Sequence, residues 1–530
     1  MSPRRLAFAV LFSFALSAEA AAQARTLVYC PGESPDTFNP QLSTSAATFD
    51  ATSRQVYDRL VRFSDRDARL EPALAESWDI LEGGRRYEFR LRPGVAFHET
   101  AGFSPTRPLN ADDVVFSFAR QRDPSHPYHA VSGGRYRYYQ GMGLDRLIAS
   151  VERVDELTVA FTLSEPYAPF PAVLAMDFAS ILSAEYADRM RAAGTPEQVD
   201  RVPVGTGPFQ FVRYDRDALI RYVAHRDYWR GQSPVENLVF AITPDASVRF
   251  QKLRDGECHV IDAPDPADLP AMLADPEIRL VRHIEPDVAY LAFNTEVPQL
   301  RDARVRRALA LAIDRAAIVE EAYHGLAVAA SDPVPPTLWP DGDSAGDGDP
   351  NLAQARALLA EAGVEGLSVD IWAPPVRRSY LPRARRVAEM IRADWQKVGV
   401  FATITVPEWR EFLKNSMVGE HEALLFGWIG ETADPDIFLE PLLSCSAAES
   451  GANRSRWCDR TFDGLLAAGR RESDPQARTA IYRQALDIVA GEAPLTPLVH
   501  SVAFAPVRAA VTGYRVPVGG GHHFYGVDLK

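Results

Sequence analysis

Apolar and polar residues recur along this 530-residue chain with two different periods, and the periods separate strands from helices. A period of two runs through Arg86–Leu91 (RYEFRL) and, with the turn Gly83-Gly84 before it, predicts a hairpin with the preceding WDIL. Helical spacing predicts amphipathic helices over Ala51–Phe63 (ATSRQVYDRLVRF) and Val305–Arg315 (VRRALALAIDR). A third helix, Leu352–Ala362, ends at Gly363, a residue suited to the left-handed stop position. Asn110 reads as the N-cap of a helix running through VVFSFARQ, with Asp112 and Asp113 in its first turn. In the second half, VDIWA, RRVAEMIRADWQKVG and FATITV alternate as strand, helix and strand, which predicts a β-α-β unit with a parallel sheet. The expected fold class is α/β.

One apolar run, Ala423–Phe426 (ALLF), ends in GWIGETADPD (427–436). This reads as a buried strand opening into a loop of glycines and acids. Three carboxylates (Glu431, Asp434, Asp436) beside a tryptophan at a strand end suit a cleft that holds a cation. A solvated acidic turn around Asp434-Pro435-Asp436 is the plainer alternative.

Composition adds domain count and compartment. A chain of this length exceeds one core, so two or three domains are expected. At the N-terminus, Arg4-Arg5, the apolar Leu6–Leu16 and the small-x-small Ala22-Gln23-Ala24 form a secretory signal with cleavage near Ala24. The apolar stretch is too short to span a bilayer well. No cysteine stands at a lipoprotein cleavage position, so a freely soluble mature chain from about Arg25 is expected. The formal charge of −14 becomes −15 once residues 1–24, with two arginines and one glutamate, are removed. Such acidity disfavours nucleic acid and anionic membranes, and leaves the sign of charge inside a cleft open.

The four cysteines are Cys30, Cys258, Cys445 and Cys458. In an exported chain an even number predicts two disulfides, with three possible connectivities. Cys445–Cys458 would close a short loop, and Cys30–Cys258 would tie the mature N-terminus to a distant segment. Their spacing fits no zinc pattern, and no cofactor or metal is expected. The sequence holds no P-loop, GxSxG or HExxH, and His98-Glu99 lacks the second histidine, so catalysis is not expected. Gly205-Thr206-Gly207 lacks the third glycine of a dinucleotide fingerprint and reads as a tight structural turn.

Longer blocks carry a resemblance. LAESW, LNADDVVFSF, HPYHAVSGGRY, GTGPFQ, AITPDASVRF, AYLAFNT, VRRALALAIDR, PPTLW, HSVAFAPVR and GHHF together resemble the periplasmic peptide-binding proteins of ABC importers, extracellular solute-binding protein family 5, and within it the dipeptide-binding branch. The resemblance spans essentially the whole mature chain. It implies a two-lobed periplasmic-binding-protein fold (type II, cluster C) with a hinge of two crossing strands and an extra subdomain in lobe I. Transferred here, lobe I is 25–284 plus 502–530, its extra subdomain about 58–205, and lobe II 285–501.

The same resemblance implies a site. A dipeptide carries an ammonium at one end and a carboxylate at the other, and burying both requires a fixed opposite charge for each. Arg378, in Pro375-Val376-Arg377-Arg378, matches the arginine that grips the peptide carboxylate, a role its planar fork suits. Glu431 matches the family's ammonium partner, an aspartate elsewhere, and is one methylene longer. Thr44 and Ser45 match a loop that meets the ligand backbone, with Ala46 in place of a glycine. Trp409 and Trp428 match aromatic positions lining the cleft. The implied function is a periplasmic receptor, a monomer, delivering dipeptides to an inner-membrane ABC permease with cytoplasmic ATPase subunits. Alternatives are haem, glutathione, or longer or antimicrobial peptides on the same fold, because fold does not fix cargo. A periplasmic chaperone or an exported hydrolase is a weaker reading.

Overall fold

The 14-residue strand Leu495–Arg508 organises the molecule, because its two halves belong to different neighbours. Its first half pairs antiparallel with Asp287–Phe293, from Ala292↔Leu495 to Ala289↔Val499. Its second half pairs antiparallel with Ile278–Ile284, from Ile284↔Val502 to Ile278↔Arg508. The chain thus crosses twice at one level, at Glu285-Pro286 and over 499–502. The computed structural model describes residues 24–64, 69–338, 349–430, 432, 434–517 and 520–530.

A mixed sheet of twelve strands runs through this crossing. On one side lie Thr26–Cys30, Asn237–Ala241, Leu219–Ala224 and Phe209–Asp215; on the other lie Ala423–Ile429, Ser368–Trp372 and Phe401–Thr405. The cores divide at the same place. One draws on residues from Leu27 to Val260 and from Ala505 to Val527, while two others draw on Val288 to Val499. A separate four-stranded sheet, Ala75–Leu81, Arg86–Leu91, Thr158–Leu163 and Ile148–Arg153, stands apart from the large one. The result is a two-lobed α/β protein with a strand hinge and an added subdomain.

Local chemistry explains several elements. Asn110 caps the helix Ala111–Arg122 by accepting from Asp112 N–H, and Asp113 returns a bond to the Asn110 N–H. The strands of the predicted hairpin pair from Ala75↔Leu91 to Leu81↔Arg86. Ser368–Trp372 and Phe401–Thr405 lie parallel across the helix Ala384–Gln396, as the alternation predicts. The sheet they join is mixed rather than parallel, since Ala423–Ile429 runs antiparallel to Asp287–Phe293. Cys30 is bonded to Cys258 and Cys445 to Cys458.

Two predicted helices differ. The stretch Ala51–Phe63 is not helical: a short helix, Ala46–Ala51, ends there, and Val61–Phe63 is a strand paired with Leu70–Pro72. The carbonyls that would continue the helix bond elsewhere, Val56 to Gly207 N–H at 2.8 Å and Gln55 to Phe209 N–H at 2.9 Å. This also accounts for the glycine turn, where a Cβ at Gly205 would sit 2.0 Å from the Val56 oxygen. Val305–Arg315 divides into Ala303–Leu311 and a new helix from Arg315 capped by Asp314, which accepts from Ala317 N–H. The predicted signal segment lies outside the described residues apart from Ala24. Among the described residues no helix is long and apolar enough to cross a membrane.

Candidate functional site

The strand Ala423–Ile429 lies between Asp287–Phe293 and Ser368–Trp372, and its end is built by close contact. A Cβ at Gly427 would fall 2.2 Å from the Tyr380 ring, and one at Gly430 would fall 2.3 Å from Phe438. Only glycine fits either position without moving an aromatic ring. Trp428, half-buried, donates its indole N–H to the Ile437 carbonyl at 2.7 Å and ties the following loop back to the strand.

In that loop, two of the three carboxylates expected to hold a cation are already used. Asp434 receives both arms of Arg478, at 2.6 and 2.8 Å, and Asp436 receives Arg470 Nε at 2.8 and 3.1 Å. Tyr482 links the two pairs, donating to Asp436 and accepting from Arg478. Burial still pushes the Asp436 carboxyl above its ordinary value despite Arg470. Asp434 and Asp436 are therefore paired partners within one lobe, a correction to the reading of all three acids as a cation trap. Glu431 lies outside the described residues.

A cavity of about 1110 Å³ opens against this strand end and spans both lobes. Thr44, Tyr138 and Tyr167 line one side; Phe426, Trp428 and Asp436 line the other. One direct bond closes an end of it, Ala168 N–H to the Arg470 carbonyl at 2.6 Å. Thr44 is exposed and Ser45 half-buried at the start of the Ala46–Ala51 helix, whose first residue, Ala46, is exposed. Of these three only Thr44 reaches the cavity wall.

Arg378 sits in a tight turn closed by mutual backbone bonds with Leu381. Its guanidinium carbon lies 4.3 Å from the centre of the Trp409 ring, a stacked cation–π contact. Its Nε is buried without a hydrogen-bond partner, and among the described residues Arg378 makes no ion pair. Trp409 stacks on Phe412 at 5.6 Å, and Phe412 meets Phe426 at 5.7 Å. Neither Arg378 nor Trp409 lines the cavity itself. They back it through this aromatic row, while Tyr380, two residues on, lines it directly. Arg377 and Ser379 line a second cavity, of about 1040 Å³, beside the crossing strands, and Ile429 is in the wall of both.

The sequence profile of the bacterial extracellular solute-binding proteins, family 5 (middle), matches residues 69–450. The chain belongs to this family. Similar family members include the dipeptide-binding protein of Escherichia coli (strain K12), 48% identical over 517 residues, 97% of each chain. Heme-binding protein A of Haemophilus influenzae (strain ATCC 51907 / DSM 11121 / KW20 / Rd) is 46% identical over 505 residues, 95% of this chain and 92% of that one. Among solved structures, HbpA2 from Haemophilus parasuis superposes with a TM-score of 0.91 at 45% identity, covering 95% of this chain and all of that one.

The positions expected from the sequence thus fall into two groups here. Thr44 and Trp428 face the lobe-spanning cavity, and Arg378 with Trp409 lies behind its aromatic wall. Sequence reasoning missed Tyr138 and Arg137, which also line the cavity and directly follow the quoted block ending at Tyr136. It missed the role of Arg470 and Arg478 as well, because both are 34 or more residues from the acids they neutralise.

Proposed function

We propose that this chain is the solute receptor of an ABC importer, closing two lobes on a free dipeptide and delivering it to an inner-membrane permease driven by cytoplasmic ATPase subunits. Lobe I is 25–284 plus 502–530, with the added subdomain at about 58–205, and lobe II is 285–501. The chain is exported by a signal cleaved near Ala24 and works as a soluble periplasmic monomer without catalysis. One observation carries the reading: Arg378 has no ion pair among the described residues and stacks on Trp409, behind a cavity whose loop acids Asp434 and Asp436 are already neutralised. A peptide carboxylate is the anion that such a fork lacks. Glu431 is the remaining loop acid and serves as the ammonium partner, while Thr44, Ser45 and Ala46 present lobe I to the ligand backbone.

Calorimetry with ligand-stripped protein tests this. Free dipeptides bind, and N-acetylated or C-amidated forms bind far more weakly, because each leaves one charge unmet. Arg378→Ala costs about 3 kcal/mol of dipeptide binding, on the order of an unpaired buried charge. Near-wild-type affinity in that variant removes Arg378 from the site.

A second reading is haem, favoured by the 46% identity to Heme-binding protein A. Titration with haemin separates the two: a saturable Soret shift together with indifference to dipeptides selects haem.

A further inference from the structure

Four arginines are buried among the described residues: Arg120, Arg249, Arg306 and Arg454. Three of them are answered. Arg120 meets Asp200 at 2.8 Å, Arg249 donates to four carbonyls, and Arg306 donates to three carbonyls and to Glu492. Arg454, only 8% exposed, has no such partner among the described residues: its Nε and Nη1 are sealed from solvent with no acceptor there. Its guanidinium carbon lies 5.5 Å from the centre of the Phe426 ring, and Phe426 is a wall of the lobe-spanning cavity. Burial pushes the group down from its ordinary value, yet a guanidinium keeps its proton in proteins.

The backbone holds this side chain in place. Arg454 lies inside the loop closed by Cys445–Cys458. Its carbonyl accepts from His421 Nε2 at 2.8 Å, and its neighbours are pinned by Asn453, whose amide oxygen accepts from Ser455 N–H at 3.0 Å. In the same loop Arg456 is answered by Glu296 and the Ala448 carbonyl. Of these two loop arginines, only Arg454 lacks a partner among the described residues.

Two guanidiniums without an ion pair among the described residues, Arg378 over Trp409 and Arg454 over Phe426, lie behind the cavity wall along one aromatic row joined by Phe412. A dipeptide has a single main-chain carboxylate, which occupies one of them. We propose that Arg454 is a specificity-determining residue that receives a side-chain carboxylate of the bound peptide, so that the favoured ligands are dipeptides containing aspartate or glutamate. The inference rests on the peptide reading above and names the ligand class within it.

The test compares acid with isosteric amide by calorimetry at neutral pH, using the pairs Glu-Ala with Gln-Ala and Ala-Glu with Ala-Gln. The wild-type chain prefers the acid in at least one pair by roughly tenfold or more, the scale of a charge-assisted hydrogen bond. In Arg454→Gln the preference collapses toward unity, and in Arg454→Lys, which keeps the charge and loses the fork, it falls part of the way. Equal wild-type affinity for acid and amide overturns the proposal and leaves the dipeptide reading standing, as does an acid preference that survives in Arg454→Gln. If no peptide of either kind binds, both fall. Should Arg454→Gln not fold, the wild-type pairs and Arg454→Lys decide alone.

Discussion

Asp287 stands at the hinge, 2% exposed, where the chain passes between the lobes. Its carboxylate accepts from the Ser501 N–H at 2.9 Å and pairs with the Ser501 hydroxyl, binding one crossing strand to the other. Glu285, itself bonded to His283 at 2.7 Å, repels it, and among the described residues no cation bonds to it. Burial first, then Glu285, pushes its carboxyl up to about 7. The unfolded chain holds the same group near ~4, so between pH 4 and 7 the folded state binds the extra proton. Stability from this group is therefore present at low pH and lost as pH rises through 7. At about 1.4 kcal/mol per pH unit the penalty is roughly 4 kcal/mol at pH 8 and roughly 1.5 kcal/mol at pH 5. Asp287→Asn imitates the protonated form, with its amide oxygen accepting from Ser501 N–H and its NH2 donating to Ser501 Oγ. The variant gains on the wild type by roughly 2.5 kcal/mol between pH 5 and pH 8, read from urea unfolding at each pH. A difference between the two proteins that stays flat across that range refutes the assignment of the charge and its environment.

The remaining predictions concern stability. His98, His421 and His500 are buried neutral, pushed down to about 3, 4 and 4 chiefly by burial, so the unfolded chain takes up their protons first. Unfolding free energy accordingly falls as pH drops below about 6.5, by up to ~1.4 kcal/mol per pH unit for each group, opposite in sign to Asp287; a wild-type urea series showing no loss between pH 6.5 and 4.5 contradicts it. Cys30–Cys258 closes 228 residues and Cys445–Cys458 only 13. Replacing the first pair with serine costs roughly 5 kcal/mol and the second roughly 3 kcal/mol on the chain-entropy scale, and thermal unfolding that ranks the two variants in the reverse order rejects that account.

Legibility in the sequence followed the range of each interaction. The capped helix at Asn110 and the hairpin Ala75–Leu91 depend on neighbours a few residues away, and each element of the unit Ser368–Thr405 carries its own period, so their patterns were readable. Ala51–Phe63 carries a helical pattern that loses to Gly207 and Phe209, which take the Val56 and Gln55 carbonyls from more than 150 residues downstream. The candidate site divides in the same way. The GWIG strand end announces itself, because glycine and tryptophan together signal close packing. The pairing of Asp434 with Arg478, across 44 residues, and the isolation of Arg454 do not, since both depend on what the fold brings near.

That pairing changes the charge balance of the cleft. In sequence, the loop after Trp428 is an excess of anions. In the fold, Asp434 and Asp436 cancel against Arg478 and Arg470, while Glu431 lies outside the described residues. On the opposite account stand Arg378 and Arg454, neither of which meets an anion among the described residues. Whole-chain acidity, −14 by formal charge, thus says little about these two guanidiniums behind the cavity wall. On the peptide reading proposed above, a zwitterion with neutral side chains would answer one guanidinium and leave the other desolvated, a standing cost on binding. On the proposed assignment, with Glu431 as the ammonium partner, a peptide with one ammonium and two carboxylates would answer all three groups.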